Sequence, residues 1–123
     1  MILALVDDLM FRSKIRAAAD RAGRTVAFVG RDAIVREVSA AIPDLVIVDL
    51  DRAPLDPMSA IREIKAHPAG GGVRIVGFVS HVRADLIEAA RAAGAEALAR
   101  SAFVARLPEL MAATTSGDRR AVT

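Results

Sequence analysis

The sequence predicts one α/β domain built on a five-stranded, doubly wound parallel sheet in the order 2-1-3-4-5, with five helices. Three observations carry that prediction. Strand-like and helix-like patterns alternate five times along 123 residues, a length that makes one domain with one core. The hydrophobic content of 54% comes mainly from Ala, Val, Leu and Ile, with four Phe and neither Trp nor Tyr, so the core is aliphatic and closely packed. Three apolar runs also stop abruptly at oxygen-bearing side chains: Ile2–Val6 at Asp7-Asp8, Leu45–Val48 at Asp49, and Ile75–Val79 at Ser80.

The elements follow in chain order. Ile2–Val6 is the first strand. Leu9–Ala22 repeats apolar positions at Phe11, Ile15, Ala18 and Ala22, one face of a helix, and Gly23 stops it. Thr25–Val29, β-branched and aromatic, is the second strand. Asp32 is placed to cap a short helix that uses Ile34, Val35, Val38, Ala41 and Ile42 and is closed by Pro43. Leu45–Asp49, apolar on both faces, is the third strand and the central one. Asp51–Pro57, with two prolines, reads as a loop before a helix from Met58 to Ala66. The run from Pro68 through Gly70, Gly71 and Gly72 is a return on the opposite edge. Val73–Val79 is the fourth strand, and Ala84–Ala93 a helix with Leu86, Ile87 and Ala90 turned inward before Gly94. Glu96–Arg100 is a weaker fifth strand. A last helix uses Phe103, Leu107, Leu110 and Met111, with Pro108 in its first turns or kinking it. The domain therefore covers residues 1–113, and 114–123 read as a polar C-terminal tail.

Right-handed crossovers turn five such units into a parallel sheet between two helix layers. With strands one and three adjacent at the switch point, Asp7, Asp8 and Asp49 converge on one sheet edge with Ser80 beside them. Crowded carboxylates repel one another, and a hard divalent cation such as Mg2+ resolves that repulsion. It takes one or two carboxylates, a backbone carbonyl and waters, leaving a position for a phosphoryl oxygen. One aspartate could then attack a phosphoryl donor, and a nearby hydroxyl could hydrogen-bond the group acquired. Taken singly, each residue has a plainer reading: Asp7 or Asp8 caps the first helix, and Ser80 caps the fourth. The joint, ordered pattern favours the pocket. His81 follows Ser80 on the same edge and reads as a solvated loop residue, or as one that reaches a phosphoryl group.

Other chemistries are excluded or weakened. Cysteine is absent, which removes disulfides, thiolate metal sites and thiol catalysis. Two distant histidines do not make a zinc site. The turn Asp7-Asp8-Leu9 is not the glycine-rich cradle of a dinucleotide site. Ile2–Val6 lacks a basic leader, and no apolar run reaches membrane-spanning length, so a cytoplasmic protein with no membrane contact is expected. The net charge of +2 is dispersed as Arg along helices, without basic stripe or aromatic platforms, which argues against nucleic-acid binding.

These residues together resemble the receiver domain of bacterial two-component response regulators, a flavodoxin-like fold. The resemblance runs from about Ile2 to Met111 and rests on Asp7-Asp8, the strand into Asp49, the strand into Ser80, Ala93-Gly94-Ala95 before the fifth strand, and Phe103. It implies a phosphorylation switch and not an enzyme, with Asp49 as phospho-acceptor. Asp8 would bind Mg2+ directly, Asp7 mainly through water and Asp51 through its backbone carbonyl, with Ser80 as switch hydroxyl. The implied partners are a sensor histidine kinase or phosphotransfer protein and a downstream protein target. A homodimer would form through the fourth helix, fifth strand and fifth helix, near Ala89, Arg91, Ala92 and Arg106. With no output domain after residue 113, the chain would act in trans or belong to something larger.

Several positions depart from that family. Ser101, followed by Ala102, stands where receivers carry a lysine before a proline, and Arg100 next to it is expected on the opposite face by strand alternation unless a bulge intervenes. Ala53 and Pro57 occupy the loop's usual proline and glycine positions, and Leu98 replaces an aromatic switch partner. Two readings follow: a phospho-acceptor at Asp49, or a pseudo-receiver that binds partners without phosphotransfer. The run Val46–Asp51 also resembles the first motif of haloacid-dehalogenase-type phosphatases. Those enzymes need a later lysine and a paired acidic motif that this C-terminal part does not offer.

Overall fold

The structure, a computed structural model, describes the backbone of residues 1–80 and 83–122 and the side chains up to residue 112. Five strands, β1 (Ile2–Leu5), β2 (Val26–Phe28), β3 (Leu45–Asp49), β4 (Arg74–Val79) and β5 (Glu96–Ala99), form one parallel sheet in the order β2-β1-β3-β4-β5. Five helices connect and flank them: α1 (Leu9–Arg21), α2 (Ile34–Ala41), α3 (Pro57–Ala66), α4 (Ala84–Ala92) and α5 (Arg100–Val122). β3 is central, as its two apolar faces require.

Alternation along the strands sorts the core into two layers. Leu3, Leu5, Val46, Val48, Ile75 and Val79 face α2, α3 and α4, meeting Ile34, Val38, Ile61, Ile64 and Ala90. Ile2, Ala4, Leu45, Ile47, Val76 and Phe78 face α1 and α5, meeting Ile15, Ala18, Phe103, Leu107 and Leu110. Each large aliphatic residue taken fully from water contributes about 1.5–3 kcal/mol relative to exposure. Gly23 and Gly94 follow α1 and α4 at φ of 68° and 102°, a conformation that L side chains avoid.

Several boundaries differ from the sequence reading, among them β1, which ends at Leu5, and β2, which runs only from Val26 to Phe28. Asp32 does not cap α2: residues 31–33 form a turn, and Ala33 takes the N-cap position without a side-chain hydrogen bond. The segment between β3 and α3 is not all loop. It holds a 3-10 turn at Ala53–Leu55, and Pro57 is the first residue of α3, a position where proline's missing N–H costs nothing. β5 stops at Ala99, one residue early, and Arg100 opens α5. Pro108 lies inside α5, past its first turns, the second of the two placements expected for it, and cannot donate to the carbonyl of Val104. The tail expected at 114–123 falls outside the described side chains. Among the described residues no helix is long and apolar enough to cross a membrane.

Candidate functional site

β1, β3 and β4 are neighbours, and all three run toward the same edge. Their C-terminal ends carry Asp7-Asp8, Asp49 and Ser80, the edge at which open α/β sheets place their sites. Asp49 is the last residue of β3 and fully buried, at 0% exposure. Its Oδ1 accepts the N–H of Asp51 at 2.9 Å. Its Oδ2 is buried and has no hydrogen-bond partner among the described residues. Burial pushes the Asp49 carboxyl above the ordinary carboxylate value, and the carboxylates of Asp51 and Asp7 push it further. The Asp51 N–H and the Arg100 guanidinium act in the opposite direction and do not prevail.

Asp8 has a structural job that its position foretold. It is the N-cap of α1, and its Oδ1 accepts the N–H of Phe11 at 3.0 Å. Asp7 is held instead by a loop residue that the sequence reading passed over. Arg52 places Nε 3.0 Å from Asp7 Oδ1 and a terminal nitrogen 3.1 Å from Oδ2, a two-pronged pair. Both side chains are substantially exposed, so the pair adds little stability. Its effect is to occupy Asp7. A cation directly after Asp51 in an acid-rich loop was the available signal.

Asp51 is the hub of the site. Ser80 donates to it twice, N–H to Oδ2 at 2.8 Å and Oγ–H to Oδ1 at 3.2 Å. Arg100 Nε lies 3.2 Å from the same Oδ2 as an ion pair, without the alignment of a hydrogen bond. The Arg100 guanidinium also sits 5.1 Å from the centroid of the Phe11 ring. Phe11 stacks on Phe78 and Phe78 on Phe103, both at 4.6 Å, which ties α1, β4 and α5 together beneath the site. The expectation that Arg100 points away is thus overturned. Strand alternation ends with β5 at Ala99, and the turn into α5 brings the guanidinium to the acidic edge. Ser101 is exposed in the first turn of α5, and Leu98 packs against the core on the α1 and α5 side. His81 lies outside the described residues.

The approach to Asp49 is fixed from below. Leu50 donates its N–H to the carbonyl of Phe78 at 2.9 Å and is nearly buried. A Cβ on Gly77 would come within 2.8 Å of the Leu50 side chain, so this glycine makes room for the residue that starts the β3–α3 loop. On α3, Lys65 donates to the carbonyl of Val73 and Glu63 accepts from Arg31.

The donors fit Mg2+ in kind. They are hard oxygens, and the buried, unpartnered Oδ2 of Asp49 is the atom that a cation or a phosphorus would meet. Two carboxylates, Asp8 and Asp49, with the Asp51 carbonyl are a sufficient protein share for that ion. Among the described residues no three acids are arranged to hold a metal, because Arg52 takes Asp7 and the Asp51 side chain is turned to Ser80 and Arg100.

No family model and no curated protein matches the sequence. Solved structures do match in fold. A response regulator from Hahella chejuensis superposes with a TM-score of 0.81 at 21% identity, over 92% of each chain. The receiver domain of a sensor histidine kinase from Pseudomonas aeruginosa, solved with a magnesium ion in its active-site cleft, gives 0.77 at 27% identity, over 89% of this chain and 92% of that one. A phosphorylated cyanobacterial phytochrome response regulator gives 0.73 at 21% identity, over 89% and 86%.

Proposed function

We propose that this chain, which has the fold of response-regulator receiver domains, is a signalling module that accepts a phosphoryl group on Asp49. The observation that carries the reading is the Asp49 carboxylate. A charged oxygen buried without a partner is unfavourable by about 1–3 kcal/mol or more, and a cation or a bond to phosphorus at Oδ2 would relieve that cost. Asp49 Oδ2 would supply the electron pair for a new bond to phosphorus. The bond from phosphorus to the donor breaks, and its electron pair leaves with the imidazole of a phosphohistidine or with acetate. When bound, Mg2+ supplies charge neutralisation for the phosphoryl oxygens. Asp8, Asp49 and the Asp51 carbonyl would hold it, with Asp7 contributing through water once free of Arg52. Ser80 and Arg100 lie at hand for the acquired group's oxygens.

The donor partner in this reading is a sensor histidine kinase or phosphotransfer protein, and the recipient of the signal a downstream protein, in the cytoplasm. A second copy of the chain would meet the α4–β5–α5 face. Residues 1–113 would form the switch and 114–123 a tail outside it. A second reading, a pseudo-receiver that binds partners without phosphotransfer, draws support from one observation: arginines already compensate Asp7 and Asp51.

The test is incubation with acetyl phosphate and Mg2+, read by intact mass, beside Asp49→Asn. A phosphate-sized gain in the wild type, absent in the variant, supports the first reading. No gain in a folded wild type selects the second.

A further inference from the structure

We propose that the Asp51 carboxylate is an internal stand-in for the phosphoryl group: it holds Ser80 and Arg100, and a phosphoryl group on Asp49 has to take both from it. This rests on the reading of Asp49 as acceptor. A phosphoryl oxygen is recognised by a backbone N–H, a hydroxyl and a guanidinium converging on one anion. All three converge here, and the anion is Asp51: the Ser80 N–H at 2.8 Å, the Ser80 hydroxyl at 3.2 Å and Arg100 at 3.2 Å. The Asp51 side chain is only 17% exposed, so these contacts are sheltered from solvent. Among the described residues Asp49 accepts a single hydrogen bond, from the Asp51 N–H, and none from either of those donors.

The same backbone bond fixes the two acids side by side, the acceptor at the end of β3 and the stand-in two residues on, in the loop that follows. Two consequences follow. Ser80 and the start of α5 are already drawn to an anion before any phosphoryl group arrives. Uptake on Asp49 brings new negative charge against Asp51, which also competes for the donors. Asp51 is therefore a positioning residue that sets how readily the acceptor is used. The backbone carbonyl, the atom that would meet a metal, is untouched by a side-chain substitution.

The experiment compares phosphate uptake from acetyl phosphate with Mg2+, by intact mass over time, in wild type, Asp51→Asn, Asp51→Ala and the double variant Asp51→Asn with Arg100→Ala, each checked for folding by circular dichroism. Removing the charge should speed uptake by roughly threefold to tenfold, the scale of one like-charge contact about 4 Å apart relieved at the dielectric of water. The gain should shrink in the double variant by the share that the freed Arg100 delivers, since the relief of the Asp51 charge remains; a merely structural defect would slow uptake instead. Wild-type uptake with Asp51→Asn equal or slower overturns the stand-in and leaves Asp49 as acceptor. Uptake by Asp51→Asn with none by wild type supports the stand-in and makes the native chain a pseudo-receiver. No uptake by any folded variant overturns both.

Discussion

Ser80 gives both of its donors to Asp51, its N–H at 2.8 Å and its hydroxyl at 3.2 Å, across 29 residues of sequence. This pair ties the end of β4 to the loop after β3, so it has structural value apart from any phosphoryl chemistry. Ser80→Ala keeps the N–H contact and loses the hydroxyl, which should lower stability by about 1 kcal/mol. Urea unfolding of the two proteins measures it; equal midpoints and slopes would mean that the hydroxyl is not held.

Arg52 and a divalent cation compete for Asp7. Arg52→Ala should therefore tighten Mg2+ binding, read by calorimetry or by the cation's effect on the melting temperature. Arg52→Lys should fall between, since an ammonium cannot reproduce the two-pronged contact at 3.0 and 3.1 Å. Unchanged affinity in Arg52→Ala would show that the pair dissolves without resistance.

Asp49 is destabilising when charged, and the sign is fixed by its raised carboxyl. The folded chain holds this proton more tightly than the unfolded chain. Its favourable contribution is complete below the ordinary value of 3.8 and is lost as pH rises through the raised value. In EDTA, Asp49→Asn should melt higher than wild type at pH 7, and the gap should close as pH falls through the raised value towards 3.8. A variant that melts lower at pH 7 would show that Oδ2 has a favourable partner after all.

Gly77→Ala puts a Cβ 2.8 Å from Leu50 in a packed interior. Overpacking of this kind costs about 1–3 kcal/mol. Because Leu50 begins the loop that carries Asp51, the variant should also take up phosphate more slowly from acetyl phosphate. Full stability and full uptake would mean that Leu50 has room to retreat.

The five strands and both helix layers were legible because the apolar runs alternate consistently: β3 reads apolar on both faces, and the runs of β1 and β4 stop at oxygen-bearing side chains. The order of the strands is not encoded in those periods, and the structure supplies it. Asp49 and Ser80 were legible from where the runs stop. Arg100 was not. Extending β5 by one residue reverses the side on which a chain atom emerges, and the helix begins at that residue. Asp32 failed by the same single step. Arg52 and the Asp51 side chain act through contacts 45 and 29 residues away, which no local period encodes. Asp8 shows the opposite case, since its capping role is local and the sequence offered it.

Chemical trapping identifies which carboxylate takes the phosphoryl group. Protein treated with acetyl phosphate and Mg2+ would be reduced with borohydride, which converts an aspartyl phosphate to homoserine, and then digested and sequenced by mass spectrometry. Homoserine at position 49 and nowhere else is the predicted result. Homoserine at Asp51 or Asp8, or at no residue of a folded protein, would contradict it.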